Sequence, residues 1–274
     1  MNYAKFTVLL LLASVFVSTM STTAMAQEEG FLAAPWRFHV NLYGWMPDAP
    51  ATISVNGKDV VDVPEDLDTI LDSLEAAAMF EIEVHKGRFS VFTHNVYYKG
   101  DYNQHYTGPV TGLGRKFELE EEVWAIKYGV GYELGTWNLG KSNDSPTLTL
   151  IPWVGGFYFH DDWSVKIDPV EGFGGDKVTG TFEYNTPMVG LSSRWKLSDR
   201  WMMNLSYSYG GWDVDNVEET YDFVGAVGYG FKMGDVSSKV YAGYRYLYID
   251  WEDNQDVKLE LTAKGPFVGI GWEF

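Results

Sequence analysis

The chain has no cysteine and little positive charge: 20 Lys and Arg stand against 38 Asp and Glu, a formal net charge of −18 over 274 residues. The lack of cysteine excludes a disulfide framework and thiol chemistry, which an oxidising compartment permits but does not require. The acidic balance argues against nucleic acid and favours surroundings rich in cations or divalent metal, such as a lipopolysaccharide surface. Long apolar runs are scarce as well. Phe6 to Val17 is one, but its roughly 12 residues fall short of the ~20 that a spanning helix needs. It follows Lys5 and precedes Ala24-Met25-Ala26 and Gln27, the pattern of a cleavable secretory signal over residues 1–26. No cysteine stands at the cleavage point, so lipid anchoring there is excluded. The expected mature domain is 27–274.

What the chain does have is aromatic residues and glycine: Tyr 18, Phe 16, Trp 11 and Gly 29. Aromatic rings favour bilayer interfaces, where the ring is buried and its polar edge stays wet. The pattern along the chain has period two, the sign of strands. Trp201, Met203, Leu205, Tyr207 and Tyr209 alternate with Met202, Asn204, Ser206, Ser208 and Gly210. In 239–249 and 124–132 the same alternation sets an aromatic face against a small or polar one. A soluble sandwich would turn its polar face outward. Here the apolar face is so aromatic, and the other so small, that lipid outside and a narrow lumen inside fit better. Ten such segments are read at 36–45, 76–86, 88–98, 117–132, 147–159, 181–195, 200–210, 219–231, 239–250 and 257–274. Most exceed the ~9–11 residues of a tilted spanning strand. The expected fold is therefore all-β, an antiparallel transmembrane β-barrel of about ten strands, within a range of eight to twelve.

The connections alternate in character. Short polar turns at 85–88, 196–200 and 232–239 belong on the periplasmic side, and 99–116, 160–180, 211–218 and 251–256 are expected as outer loops. An insert at 46–75 breaks the rhythm. Ala51 to Val55 and Val60 to Val63 flank Asn56-Gly57 and read as a hairpin. Pro64 to Leu74 reads as a short helix with Leu67, Ile70, Leu71 and Leu74 on one face. That helix has three possible places: capping the lumen, plugging it, or lying on the membrane. If the hairpin joins the wall, the strand count becomes twelve.

Several pieces carry a resemblance when taken in order. They are Trp45-Met46-Pro47-Asp48, Thr52-Ile53, Asp68 to Leu74, Lys86-Gly87-Arg88, Leu197-Ser198-Asp199-Arg200-Trp201, Gly243-Tyr244-Arg245-Tyr246 and Gly265-Pro266 to Phe274. Over nearly the whole mature chain this resembles a group of small, porin-like outer-membrane barrels of Gram-negative bacteria. The group carries no established activity, so the resemblance implies fold and location only.

Parity places Arg37, His39, Glu81, Glu83, Lys127, Arg194, Asp222 and Arg245 in the lumen, because a Lys or Arg facing mid-bilayer lipid costs about 2–4 kcal/mol. These charges form either a paired lattice that blocks a narrow barrel or a polar channel, and small barrels are largely filled by side chains. Val268, Ile270, Trp272 and Phe274 face lipid and form the insertion signal read by the barrel-assembly machinery. Five histidines raise the alternative of a lipid-modifying hydrolase or acyltransferase, which needs a His beside a Ser and an acid. Ser90 and His94 share a face, but four residues along a strand is about 13 Å. The acidic stretches 213–219 and 250–256 offer hard oxygen ligands but no EF-hand loop, and they raise the further alternative of surface adhesion. Gly129-x-Gly131-x-x-x-Gly135 lies within a strand, opens no helix, and is discarded as a dinucleotide loop. The sequence thus points to a non-enzymatic, monomeric outer-membrane barrel, either a narrow channel or a structural one. Its expected surroundings are outer-membrane lipid and lipopolysaccharide, with no cofactor, metal or catalytic residue.

Overall fold

A computed structural model describes residues 34–55, 58–63, 67–107, 114–141, 145–167, 176–252 and 257–274. The expected signal over 1–26 and the Asn56-Gly57 turn lie outside the described residues. Ten strands form an antiparallel ladder: β1 (Trp36–Trp45), β4 (Leu74–Lys86), β5 (Phe89–Thr107), β6 (Gly114–Tyr132), β8 (Thr147–Ile167), β9 (Asp176–Lys196), β10 (Trp201–Val214), β11 (Val217–Met233), β12 (Val236–Glu252) and β13 (Val257–Glu273). The last pairs with the first, His39 to Trp45 against Glu273 to Phe267, and so closes the barrel. All ten segments read from the alternation are strands.

Three short strands are appended. In the insert, β2 (Ala51–Val55) continues the line of β1 and pairs with Leu261 to Val257 of β13, while β3 (Lys58–Val63) pairs only with β2. The hairpin extends one side of the wall and leaves the barrel at ten strands. The four-residue β7 (Gly135–Asn138) folds back onto β8, in a connection where the alternation gave no strand. Of the expected helix, α1 (Leu67–Ser73) is described and gives way to β4 at Leu74, one residue before the expected end, while Pro64 to Asp66 lie outside the described residues. Of the expected apolar face Ile70 is buried, but Leu71 and Leu74 are exposed. Ser73 Oγ lies 3.0 Å from Tyr98 Oη, which seats the helix against β5. Beside it the wall is incompletely zipped. The β1–β4 ladder stops at Leu42–Phe80, although β4 stays paired to β5 as far as Leu74.

At one end, hereafter the terminal end, lie the start of β1, the end of β13 and the tight turns at Gly87 and Gly234. Both glycines have positive φ (56° and 63°), a conformation that a side chain disfavours. At the other end, the loop end, the strands run further than expected. β5 and β6 reach Thr107 and Gly114, β8 and β9 reach Ile167 and Asp176, and β10 and β11 meet at Asp215-Asn216 with φ of 51° and 65°. Most of the expected outer loops are therefore ladder. The two-residue connection with both φ positive is the twist-matched hairpin turn.

The outer surface explains these lengths. Near the terminal end Phe89 packs on Tyr132 and Trp201 on Tyr229, with ring centroids 5.0 and 5.3 Å apart. Eight residues further along the same four strands are Tyr97, Trp124, Tyr209 and Tyr221, of which Tyr97 and Trp124 are paired at 4.5 Å. Eight residues span about 27 Å of strand, or about 20 Å of height at a tilt near 40°. Between these two aromatic levels, the outward positions among the described residues carry no Asp, Glu, Lys or Arg. Beyond the upper level the arrangement inverts. Glu120, Asp162, Glu183, Glu260 and Lys264 face outward and are exposed, while Phe157, Phe159, Tyr184, Met188, Val217, Leu247 and Ile249 are buried inside. The switch is visible along β13: Val268 points out, but Leu259, Ala263 and Phe267 point in and are buried. The lower barrel is apolar outside and polar inside; the upper barrel is the reverse.

Candidate functional site

The polar interior of the lower barrel surrounds a cavity of about 150 Å³. Six of the eight lumen positions read from parity line it: His39, Glu81, Glu83, Lys127, Arg194 and Arg245. Asp222 sits directly behind Lys127 and Arg245. Arg37 is exposed near the start of β1 and does not line the cavity.

Two networks bring these groups together. In the upper one Asp222 accepts from Lys127 Nζ at 2.5 Å and from Arg245 Nε and Nη2 at 2.9 and 3.1 Å. The side chains are 1 %, 3 % and 5 % exposed for Asp222, Lys127 and Arg245. Both cations also lie over tryptophans, Arg245 4.7 Å from the ring centroid of Trp45 and Lys127 5.8 Å from that of Trp153. In the lower network Arg194 is bound to Glu83, which also meets His85 Nε2 at 3.0 Å and His39 Nδ1 at 3.9 Å. His94 Nε2 pairs with Glu81 at 2.7 Å, and Asn41 donates to the other oxygen of Glu81 at 2.9 Å. His85 and His94 also face the lumen, as does Lys239, which shares the parity of Tyr241 and Arg245 and lines the cavity.

The ligating atoms of His39, Glu83 and His85 lie within 4.8 Å of one another, close enough to invite a divalent metal. The Arg194 guanidinium argues against that use, because it occupies Glu83 and both terminal nitrogens lie 3.5 Å from His85 Nε2. A metal ion there would sit against a fixed positive charge. His39, His85, His94 and His160 all have carboxylate partners, while Ser192 and Ser206 bond to each other at 3.0 Å.

Above the upper network the lumen is filled. Phe159 stacks on Tyr184 at 5.2 Å and Phe157 lies 6.2 Å from the same ring, with Met188, Leu247 and Ile249 buried around them. Exposure rises in the opposite direction, to 31 % at Arg194 and 49 % at Glu273 beside the terminal end. The cavity is thus stoppered above and accessible below. Among the described residues, none of α1 lines it.

The acidic loop-end groups are engaged individually. Asp215 accepts from the backbone N–H of Asn185 at 3.0 Å. Lys258 lies 3.0 Å from Glu260 and 3.1 Å from Asp250, and the hydrogen bond to Glu260 leads in holding its pKa above that of an ordinary lysine. The expected insertion signal lies on the closing strand, with Val268 and Phe274 exposed and Ile270 and Trp272 half-buried between β12 and β1.

No family model matches the chain, and no curated protein sequence matches it. Solved structures do. The outer-membrane protease OmpT from Escherichia coli is similar over 88 % of this chain and 97 % of its own, with 11 % identity and a TM-score of 0.49. Ail, the attachment invasion locus protein of Yersinia pestis, matches 88 % of this chain and 99 % of its own, at 9 % identity and a TM-score of 0.32. A FadL homologue of Pseudomonas aeruginosa matches 87 % and 89 %, at 12 % identity and a TM-score of 0.29.

Proposed function

We propose that the protein is a monomeric, non-enzymatic β-barrel of the Gram-negative outer membrane whose lumen is a blind cavity rather than a through-pore. The membrane reading rests on the uncharged band between the two aromatic levels, whose height of about 20 Å is near the ~25 Å apolar band of such barrels. The short-turn terminal end then faces the periplasm and the long-stranded end faces outward. Residues 268–274 serve as the strand recognised at insertion, and lipid and lipopolysaccharide are the surroundings of the outer wall.

The observation that carries the closed reading is the sequence of layers above the cavity. The Lys127–Asp222–Arg245 triad comes first, and the Phe157, Phe159 and Tyr184 stopper stands above it. Buried, hydrogen-bonded charge and close-packed rings leave no hydrated path. The non-enzymatic reading is supported by the lumen serines, of which Ser192 and Ser206 bond to each other and Ser193 donates to the Leu205 carbonyl.

Single-channel recording of the refolded protein in a planar bilayer tests this reading. Full-length protein and a variant lacking residues 46–75 are both expected to give no steady current, because α1 does not line the cavity. Heat-modifiable mobility confirms that each has folded. Ohmic openings from the full-length protein would overturn the closed reading, and openings from the deletion alone would make the insert a plug.

A further inference from the structure

We propose that the lumen cavity binds a small organic anion, a carboxylate carried on an aromatic or short aliphatic body, entering from the periplasmic end. The charges in and beside the cavity are paired with one exception. Glu81, Glu83 and Asp222 take up His94, Arg194, Lys127 and Arg245, whereas Lys239 lines the cavity with no hydrogen bond or ion pair. Its ammonium stands 5.6 Å from the centroid of the Tyr241 ring. Glu81, Glu83 and Glu273 act on it through space but none is in hydrogen-bond contact, and a half-buried ammonium whose donors are unmatched is costly. A second donor is also left over. Nη1 of the buried Arg245 guanidinium has no partner, although Nε and Nη2 are both bound to Asp222.

The sign is local. The whole chain is strongly acidic, yet the lining of the cavity gathers Lys127, Arg194, Lys239 and Arg245 against Glu81 and Glu83, with Asp222 behind Lys127 and Arg245 and Glu273 toward the terminal end. The acidic outer wall repels an anion from the loop end, and the stopper closes that route. The opposite wall of the cavity is apolar, formed by Phe92, Ile151 and Trp153 on β5 and β8, and Val224 and Phe267 flank the strand of Lys239. A volume of about 150 Å³ in an apolar setting accommodates a molecule of benzene size. One unpaired ammonium, one apolar wall and that volume together describe a monocarboxylate with a compact hydrophobic body.

The site rests on the blind-cavity reading for its direction of entry, but the two fail separately, since current through the wild type refutes the stopper and not the site. Benzoate is the probe, titrated calorimetrically into the full-length refolded protein in lipid nanodiscs, with toluene and benzylammonium as comparisons. Benzoate is expected to bind in preference to both. Lys239→Met should weaken it about 10- to 100-fold, the loss of one charge-assisted hydrogen bond, while Lys239→Arg retains binding. Val224→Trp, on the inward parity of Asp222, should abolish it by filling the cavity, with heat-modifiable mobility showing each variant folded. The proposal is overturned by the absence of benzoate binding at millimolar concentration, by undiminished binding in Lys239→Met, or by toluene binding as tightly as benzoate.

Discussion

Replacing Asp222 with alanine removes the acceptor of three hydrogen bonds, from Lys127 Nζ at 2.5 Å and from Arg245 Nε and Nη2 at 2.9 and 3.1 Å. Both cations remain, 3 % and 5 % exposed, with no carboxylate within reach. Removing one partner of a buried ion pair costs about 3–5 kcal/mol, because the remaining charge keeps its desolvation penalty and loses its compensation. That is a large fraction of the ~5–15 kcal/mol that holds a typical domain together. The triple variant Lys127→Met, Asp222→Leu, Arg245→Met removes the charges as well as the pairing. It is expected within about 1–2 kcal/mol of wild type, since apolar replacement of a buried triad is often neutral or stabilising. Equilibrium urea unfolding from lipid vesicles, followed by the fluorescence of the 11 tryptophans, gives both numbers. The cycle is informative because the single change should be worse than the triple. If Asp222→Ala costs less than about 1 kcal/mol, water reaches the triad and the dry seal beneath the stopper is refuted. If the triple variant is as unstable as the single one, packing rather than charge pairing is what Asp222 supplies.

Three other outcomes follow from the same geometry. Phe157→Ala with Tyr184→Ala removes two of the rings that close the lumen, so steady conductance is expected where the wild type has none; continued silence would place the obstruction in the triad alone. A Cβ at Gly155 would overlap the carbonyl oxygen of Tyr128 and stand 2.5 Å from Gly129 Cα. Gly155→Val should therefore abolish the heat-modifiable folded form, and normal mobility would show that β6 and β8 can part. Asp215 holds the N–H of Asn185 in a connection whose central residues both have positive φ. Replacing Asp215-Asn216 by Asn-Gly is expected to stabilise the barrel by about 0.5–1 kcal/mol, measured by the same unfolding assay, because glycine adopts that φ without the strain a side chain adds.

The barrel was legible because strands in lipid carry contrast. Trp201 to Gly210 alternates large against small, and every one of the ten segments was found that way. Legibility failed where the contrast fails. Asp101 to Thr107 on β5 has polar residues on both parities and looks like loop, yet it pairs in an unbroken ladder because hydrated wall needs no apolar face. Ile151 to Phe159 fails in the opposite way. Val154 and Tyr158 point out while Ile151, Trp153, Phe157 and Phe159 point in, so both parities are apolar and the stopper gives no signal. The inward charges could be read one by one from parity. Their partners could not, because the meeting of Lys127 with Asp222 or of Arg194 with Glu83 depends on stagger around the barrel. Lys239 had a usable signal, its parity with Arg245, but its position next to a turn masked it.

The reversal of polarity partway up the wall also fixes the depth at which the molecule floats. Sinking by one residue pair, about 5 Å of height, would carry the ring of Glu120, Glu183, Glu260 and Lys264 toward the hydrocarbon, where charge is penalised more steeply with depth. Rising by the same amount would lift the upper tyrosines and tryptophans clear of the interface and expose the uncharged band beneath them to water. Each displacement meets an opposing free-energy gradient, so the inversion acts as a restoring force along the membrane normal. A barrel anchored in this way keeps its outer rim at a constant height above the bilayer, independently of what occupies the lumen.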